Sequence, residues 1–317
     1  MTAHRNLKRR VRARSAKTGE SYTAALRHVR PVRGGDDDPP GAALRIAVAQ
    51  STVRDDPTDV GGLRASAAEV RRLLRDAAAA GARLVHFTEG ALCFPSKLVL
   101  SELGPDEVGP SDWSRAEWAV LQEELGRIAA LSGELSVWTV IAAPHRRPGP
   151  DRPYNSLYVV SDQGTVAARY DERTLSNTKI SYMYTPGSGP VTVDVDDYRF
   201  GLALGMDVHF PELFTEYERL DVDGVLVSYE TGGVPGRETV ATEARGYAAA
   251  NSYWISLAVP ADRSGPHAGV IGPRGDWSAA GPADGSPAVV VTEVHRDDAL
   301  SPYARDWRRR TRSRVTF

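Results

Sequence analysis

From residue 44 onward the apolar positions follow two alternating periods, and the chain before that point follows neither. Leu44 to Gln50 is a nearly unbroken apolar run of strand length. The next segment sets Leu63, Val70, Leu73, Leu74 and Ala77 on one helical face and stops near Gly81. Arg83 to Thr88 reads as a second buried strand, ending at Glu89. Trp118, Leu121, Leu125, Ile128 and Leu131 mark a second helix, and Ser136 to Ala143 a third strand. Two hairpin units follow, one turning at 162–164 and the other near 196–197. Phe210 to Leu220 then reads as helix, Val222 to Ser228 as strand and Glu238 to Ala250 as helix. Trp254 to Val259, Gly269 to Ile271 and Ala288 to Val294 close the pattern as strands. Strands alternating with helices predict an α/β layered domain.

Before that domain, Asn6 to Ala16 and Glu20 to Val29 read as two short helices broken at Thr18 and Gly19. Their apolar content is too small to fold alone. The Pro, Gly and Asp run from 31 to 41 separates them from the body. The expected organisation is a basic arm and linker at 1–42, a domain at 43–300 and an Arg-rich C-terminal tail at 301–317.

Charge sharpens this division. The chain of 317 residues carries a net −2, yet residues 1–33 hold ten Arg and Lys against Glu20, a net +9. Residues 305–317 hold six arginines against Asp306, a net +5, so the 271 residues between carry −16. Basic ends on an acidic body predict that the ends meet something anionic, including the body of a neighbouring subunit. The arm from Lys8 to Arg14 lacks interleaved aromatics or a recognition motif, so nucleic acid is the lesser expectation for it. No apolar run nears the ~18 residues of a membrane span, and the basic N-terminus has no apolar core of a secretory signal. No membrane partner is expected. A single cysteine, Cys93, excludes an internal disulfide and fits a reducing, cytoplasmic setting.

The informative chemistry lies at strand ends. Glu89 closes one apolar strand, where α/β sheets open into their ligand crevice. Gly205 closes another and is followed by Asp207, His209, Phe210, Pro211, Glu212 and Leu213. Tyr154-Asn-Ser, Tyr170-Asp-Glu-Arg-Thr-Leu175, Tyr184-Thr-Pro-Gly187 and Asn251-Ser-Tyr-Trp lie between and after them. In order and spacing these segments resemble the nitrilase, or carbon–nitrogen hydrolase, superfamily across residues 44–296. That resemblance implies an α/β fold of the nitrilase-type α-β-β-α sandwich, and homo-oligomers built by packing such sandwiches.

The resemblance also implies a site from which parts are missing. The family uses a thiolate nucleophile, a glutamate base and a lysine that stabilises the tetrahedral intermediate. Glu89 matches the base, Gly205 falls at the cysteine, Glu172 at the lysine, and Lys179 at or near a second family glutamate. Asp207, His209, Tyr229 and Glu230 are expected around the substrate pocket. Cys93 follows Glu89 by four residues, on the wrong strand for a nucleophile, and reads as packing. Asp207 and His209 with a nearby glutamate lack the three or four convergent ligands a zinc site needs, so no metal and no cofactor are expected. Beside an accessory nucleic-acid- or protein-binding role through the basic arm, two readings stay open. One is a binding or assembly protein without thiol-based hydrolysis. The other is acid–base chemistry by Glu89, Glu172 and Lys179 on a small polar, nitrogen-containing molecule.

Overall fold

The computed structural model describes residues 43–149, 151–230, 238–262, 266–296 and 302–314. The basic arm and its two expected helices lie outside the described residues. In chain order the elements are β1 (Leu44–Gln50), α1 (Val60–Ala79), β2 (Leu84–Phe87), α2 (Trp118–Leu135), β3 (Trp138–His145), β4 (Tyr154–Val160) and β5 (Val166–Asp171). They continue with β6 (Thr192–Val195), β7 (Tyr198–Leu204), α3 (Pro211–Arg219), β8 (Gly224–Ser228), α4 (Glu238–Asn251) and β9 (Trp254–Ala258). Last come β10 (Gly269–Ile271), β11 (Trp277–Ala280), β12 (Ala288–Val294) and α5 (Pro302–Arg312).

Twelve strands form two six-stranded sheets, ordered β12-β1-β2-β3-β4-β5 and β11-β10-β9-β8-β7-β6. In each, three central strands run parallel (β1, β2 and β3; β7, β8 and β9) and the flanking strands pair antiparallel. Strands covered on both faces must be apolar almost throughout. That is why Gly224–Ser228 and Trp254–Ala258 are buried at every position. One face of the first sheet packs on α1 and α2 through Leu63, Val70, Leu74, Leu121 and Ile128. Its other face meets the second sheet, whose far side carries α3 and α4 through Leu213, Phe214, Val240 and Ala244. The result is the four-layer α-β-β-α sandwich expected from the sequence. One polar bridge crosses its middle: His86 of β2 bonds Ser228 of β8 at 2.8 Å and Ser256 of β9 at 2.9 Å.

Two features depart from the sequence reading. β11 was not expected, because four residues alternating between half-buried and exposed carry too little pattern. The expected Arg-rich tail is a helix over Pro302–Arg312 that lies on the body. Arg305 and Arg309 reach Asp221, Arg308 donates to Ser252 Oγ at 3.0 Å, and Arg312 ion-pairs with the nearly buried Glu218 at 3.0 Å. These arginines meet acids of their own domain, so they are not a free cationic tail.

Candidate functional site

Parallel strands deliver their C-terminal ends to one edge of each sheet, and open α/β sheets place ligands there. Glu89 follows β2, Gly205 follows β7, and Tyr229 and Glu230 follow β8. Glu172 follows β5, and Lys179 opens a short π-helical turn, Lys179–Met183. The fold brings Glu89, Glu172, Lys179 and Gly205 into one cluster.

Both carboxylates are fully buried, so their charge must be met by donors. Lys179 Nζ lies 2.7 Å from Glu89 Oε1, and 2.8 and 3.1 Å from the two oxygens of Glu172. Its three ammonium hydrogens are thereby used. Asn155, on β4, donates its amide to Glu89 Oε1 at 2.8 Å and to Glu172 Oε2 at 2.7 Å. The remaining oxygens take backbone donors: Met206 N–H reaches Glu172 Oε1 at 2.9 Å, and Glu230 N–H reaches Glu89 Oε2 at 2.9 Å. Every carboxylate oxygen has a partner, and the network is closed.

Electrostatics follow from that geometry. Burial pushes the Glu172 carboxyl up to about 7, against the pull of the Lys179 ammonium, and the charge of Glu89 adds to the rise. Burial also works against the Lys179 ammonium, but the Glu172 and Glu89 carboxylates outweigh it and hold that pKa above the usual lysine value. Two buried acids around one cation leave the cluster one proton short of neutral.

Gly205 owes its identity to this crowding. Its φ of +57° lies in the left-handed region. A Cβ there would stand 2.3 Å from Glu172 Oε1 and 2.9 Å from Lys179 Nζ. The Glu172 carboxylate occupies the room a side chain at 205 would take.

The expected pocket residues divide. Asp207 is wholly buried and faces the protein, not a pocket. Its Oδ1 accepts from the N–H of Arg173 and Thr174 and from the Thr174 hydroxyl, and its Oδ2 accepts from Tyr170 OH and Leu204 N–H. Asp207 thus ties the 172–174 segment to the end of β7 and sets Glu172 beside Gly205. His209 is half-buried, bonds Glu243 at 2.8 Å and meets the Tyr229 ring edge-on at 5.7 Å. Tyr229 is half-buried, and Glu230 contributes its N–H to Glu89. Among the described residues no group of three His, Cys, Asp or Glu side chains is placed to hold a metal ion. Cys93 is buried among apolar side chains, with its thiol pushed up by burial and by Asp55 and Asp56.

Sequence reasoning did not foresee Asn155 as the bridge between the acids, although its Tyr-Asn-Ser hairpin was singled out. It also missed Glu243, some 34 residues from His209. In His86, Ser228 Oγ donates to Phe87 O at 2.8 Å, so Nε2 carries the proton and Nδ1 accepts from Ser256. Burial pushes this imidazole down to about 3, which keeps it neutral between the sheets.

A two-sheet sandwich flanked by helices, with buried acids and a lysine gathered at its strand ends, is the frame of a carbon–nitrogen hydrolase. The pattern of the Carbon-nitrogen hydrolase family matches residues 45–301, and the chain belongs to that family. Hydrolase Rv0480c of Mycobacterium tuberculosis is 28% identical over 234 residues, covering 72% of this chain and 76% of that protein. An amidase from Nesterenkonia sp. superposes with a TM-score of 0.63 at 19% identity, over 85% of this chain and 98% of that one. The C. elegans NitFhit protein gives a TM-score of 0.67 at 18% identity, over 87% of this chain and 65% of that one. Among the described residues no helix is long and apolar enough to cross a membrane.

Proposed function

We propose that this carbon–nitrogen hydrolase homologue does not hydrolyse amides or nitriles through a thiol, and acts through binding or assembly as a homo-oligomer. Glu172 carries the reading. Its carboxylate fills the side-chain space at Gly205 and takes the Met206 N–H, the backbone donor next to the position where the family resemblance puts the nucleophile. An oxyanion forming there would meet a carboxylate instead of a donor. In a mutant of the Nesterenkonia amidase, with its active-site cysteine intact, the acetamide moiety of fluoroacetamide adds covalently to that cysteine. Here the only sulfhydryl, Cys93, is 2% exposed and packed in the layer between α1, α2 and the first sheet. Loss of a nucleophile costs on the order of 10⁶ in kcat, which residual binding does not offset.

A second reading is favoured by one observation, the Glu172 carboxyl at about 7 beside Glu89. A carboxyl poised near neutrality beside a second carboxyl is the pairing that acid–base catalysis on a small, polar, nitrogen-containing substrate needs. The experiment that separates the two is ammonia or amine release from a panel of simple amides, nitriles and amidines by the wild-type protein, E89Q and C93A. The proposal expects no turnover by any of the three. Turnover lost in E89Q but kept in C93A would establish the acid–base reading. Turnover lost in C93A would overturn both.

A further inference from the structure

The second sheet has another end, far from Glu89. Trp254 opens β9 in register with Gly224, whereas Ser228 and Leu204 pair at the Glu172 end. Five residues of strand put the two ends roughly 13 Å apart. At the far end a cavity of about 210 Å³ opens between Trp254, Trp277 and the turn that carries Arg274 and Asp276.

The walls are held from behind. Trp254 is 6% exposed, and its indole N–H donates to His295 O at 3.0 Å, which fixes the ring. Trp277 lies across Gly269, where a Cβ would come within 2.7 Å of its ring, so only glycine lets the indole settle there. The turn is closed by Gly275 N–H to Gly272 O at 2.9 Å and Gly272 N–H to Asp276 O at 2.8 Å. Arg245 of α4 pins it through Gly275 O at 2.8 Å. Arg274 and Asp276 are exposed, and among the described residues no ion pair joins them. Arg274 and Asp276 line this cavity beside the two tryptophans.

We infer that this cavity is a binding site for a small zwitterion bearing an alkylated ammonium and a carboxylate. Indole faces attract an alkylated ammonium through the ring quadrupole, and Asp276 supplies the countercharge. The Arg274 guanidinium matches a carboxylate in geometry and charge. The cavity lies below the range of about 300–1,000 Å³ typical of drug-sized ligands, which restricts the ligand to a few heavy atoms.

The test titrates full-length protein with glycine betaine by calorimetry, with tetramethylammonium and acetate as separate arms. Saturable one-to-one binding of betaine is expected, and each half-ligand should bind at least about tenfold more weakly. R274Q should weaken betaine about tenfold and leave tetramethylammonium unchanged, D276N should weaken both, and W277A should abolish binding. Arg274 and Asp276 are exposed, so their variants keep the fold and carry the test even if W277A misfolds. Absence of saturable betaine binding, or R274Q and D276N variants that bind it as the wild type does, would overturn the assignment.

Discussion

Replacing Lys179 by methionine keeps the bulk of the side chain and removes the cation that lies between two buried acids. The ammonium makes one contact with Glu89 at 2.7 Å and two with Glu172, and its side chain is only 12% exposed. Breaking such a pair from one side costs about 3–5 kcal/mol, because the remaining charges stay buried without a partner. Against typical domain stabilities of about 5–15 kcal/mol, K179M should stand near the edge of folding at pH 8. The loss depends on pH with a definite sign. The Glu172 pKa in the folded state is already raised to about 7, and removing the ammonium raises it further. A group raised on folding contributes stability that is full below its unfolded value, near 4.5, and is lost as pH rises through its folded value. K179M should therefore gain stability between pH 8 and pH 5, as one carboxyl takes up a proton and Asn155 bridges the pair. Urea denaturation of wild type and variant at both pH values measures this. A cost below about 1 kcal/mol at pH 8, or the same cost at pH 5, would refute the reasoning.

Three further outcomes follow from particular contacts. G205C places a side chain against the Glu172 carboxylate in a left-handed backbone, so it should lose about 2–4 kcal/mol in urea denaturation and release no ammonia from amides. Cys93, buried and with its thiol pushed up, should react with a chromogenic disulfide only after denaturation; stoichiometric labelling of the native protein would contradict its placement. R312A leaves Glu218 buried without its ion pair and should cost about 2 kcal/mol by the same denaturation assay, with E218Q recovering part of the loss in the double variant.

What the sequence made legible were features carried by runs of residues. The apolar strands ending at Glu89 and before Gly205, and the one-sided faces of α1 and α2, depend on neighbours a few positions away. They were readable for that reason. Glu172 and Lys179, seven positions apart, are placed by the family resemblance and not by periodicity, and Lys179 opens the π-helical turn Lys179–Met183. The bridging role of Asn155 needs Glu89, 66 positions away, and no local pattern records it. The family resemblance implies a pocket role for Asp207, whereas its five donors turn it inward. Charge alone predicts an anionic partner for the arginines of α5 but does not name it, since Glu218 and Asp221 lie about 90 residues back in the chain.

The central claim is that no thiol of this protein acts as a nucleophile. Fluoroacetamide tests it most directly, because its acetamide moiety adds to the active-site cysteine of a mutant Nesterenkonia amidase. With that mutant amidase as the positive control, intact-protein mass spectrometry after incubation of this protein should show its unmodified mass. An acetamide adduct formed on the native protein and mapped to Cys93 would contradict the account.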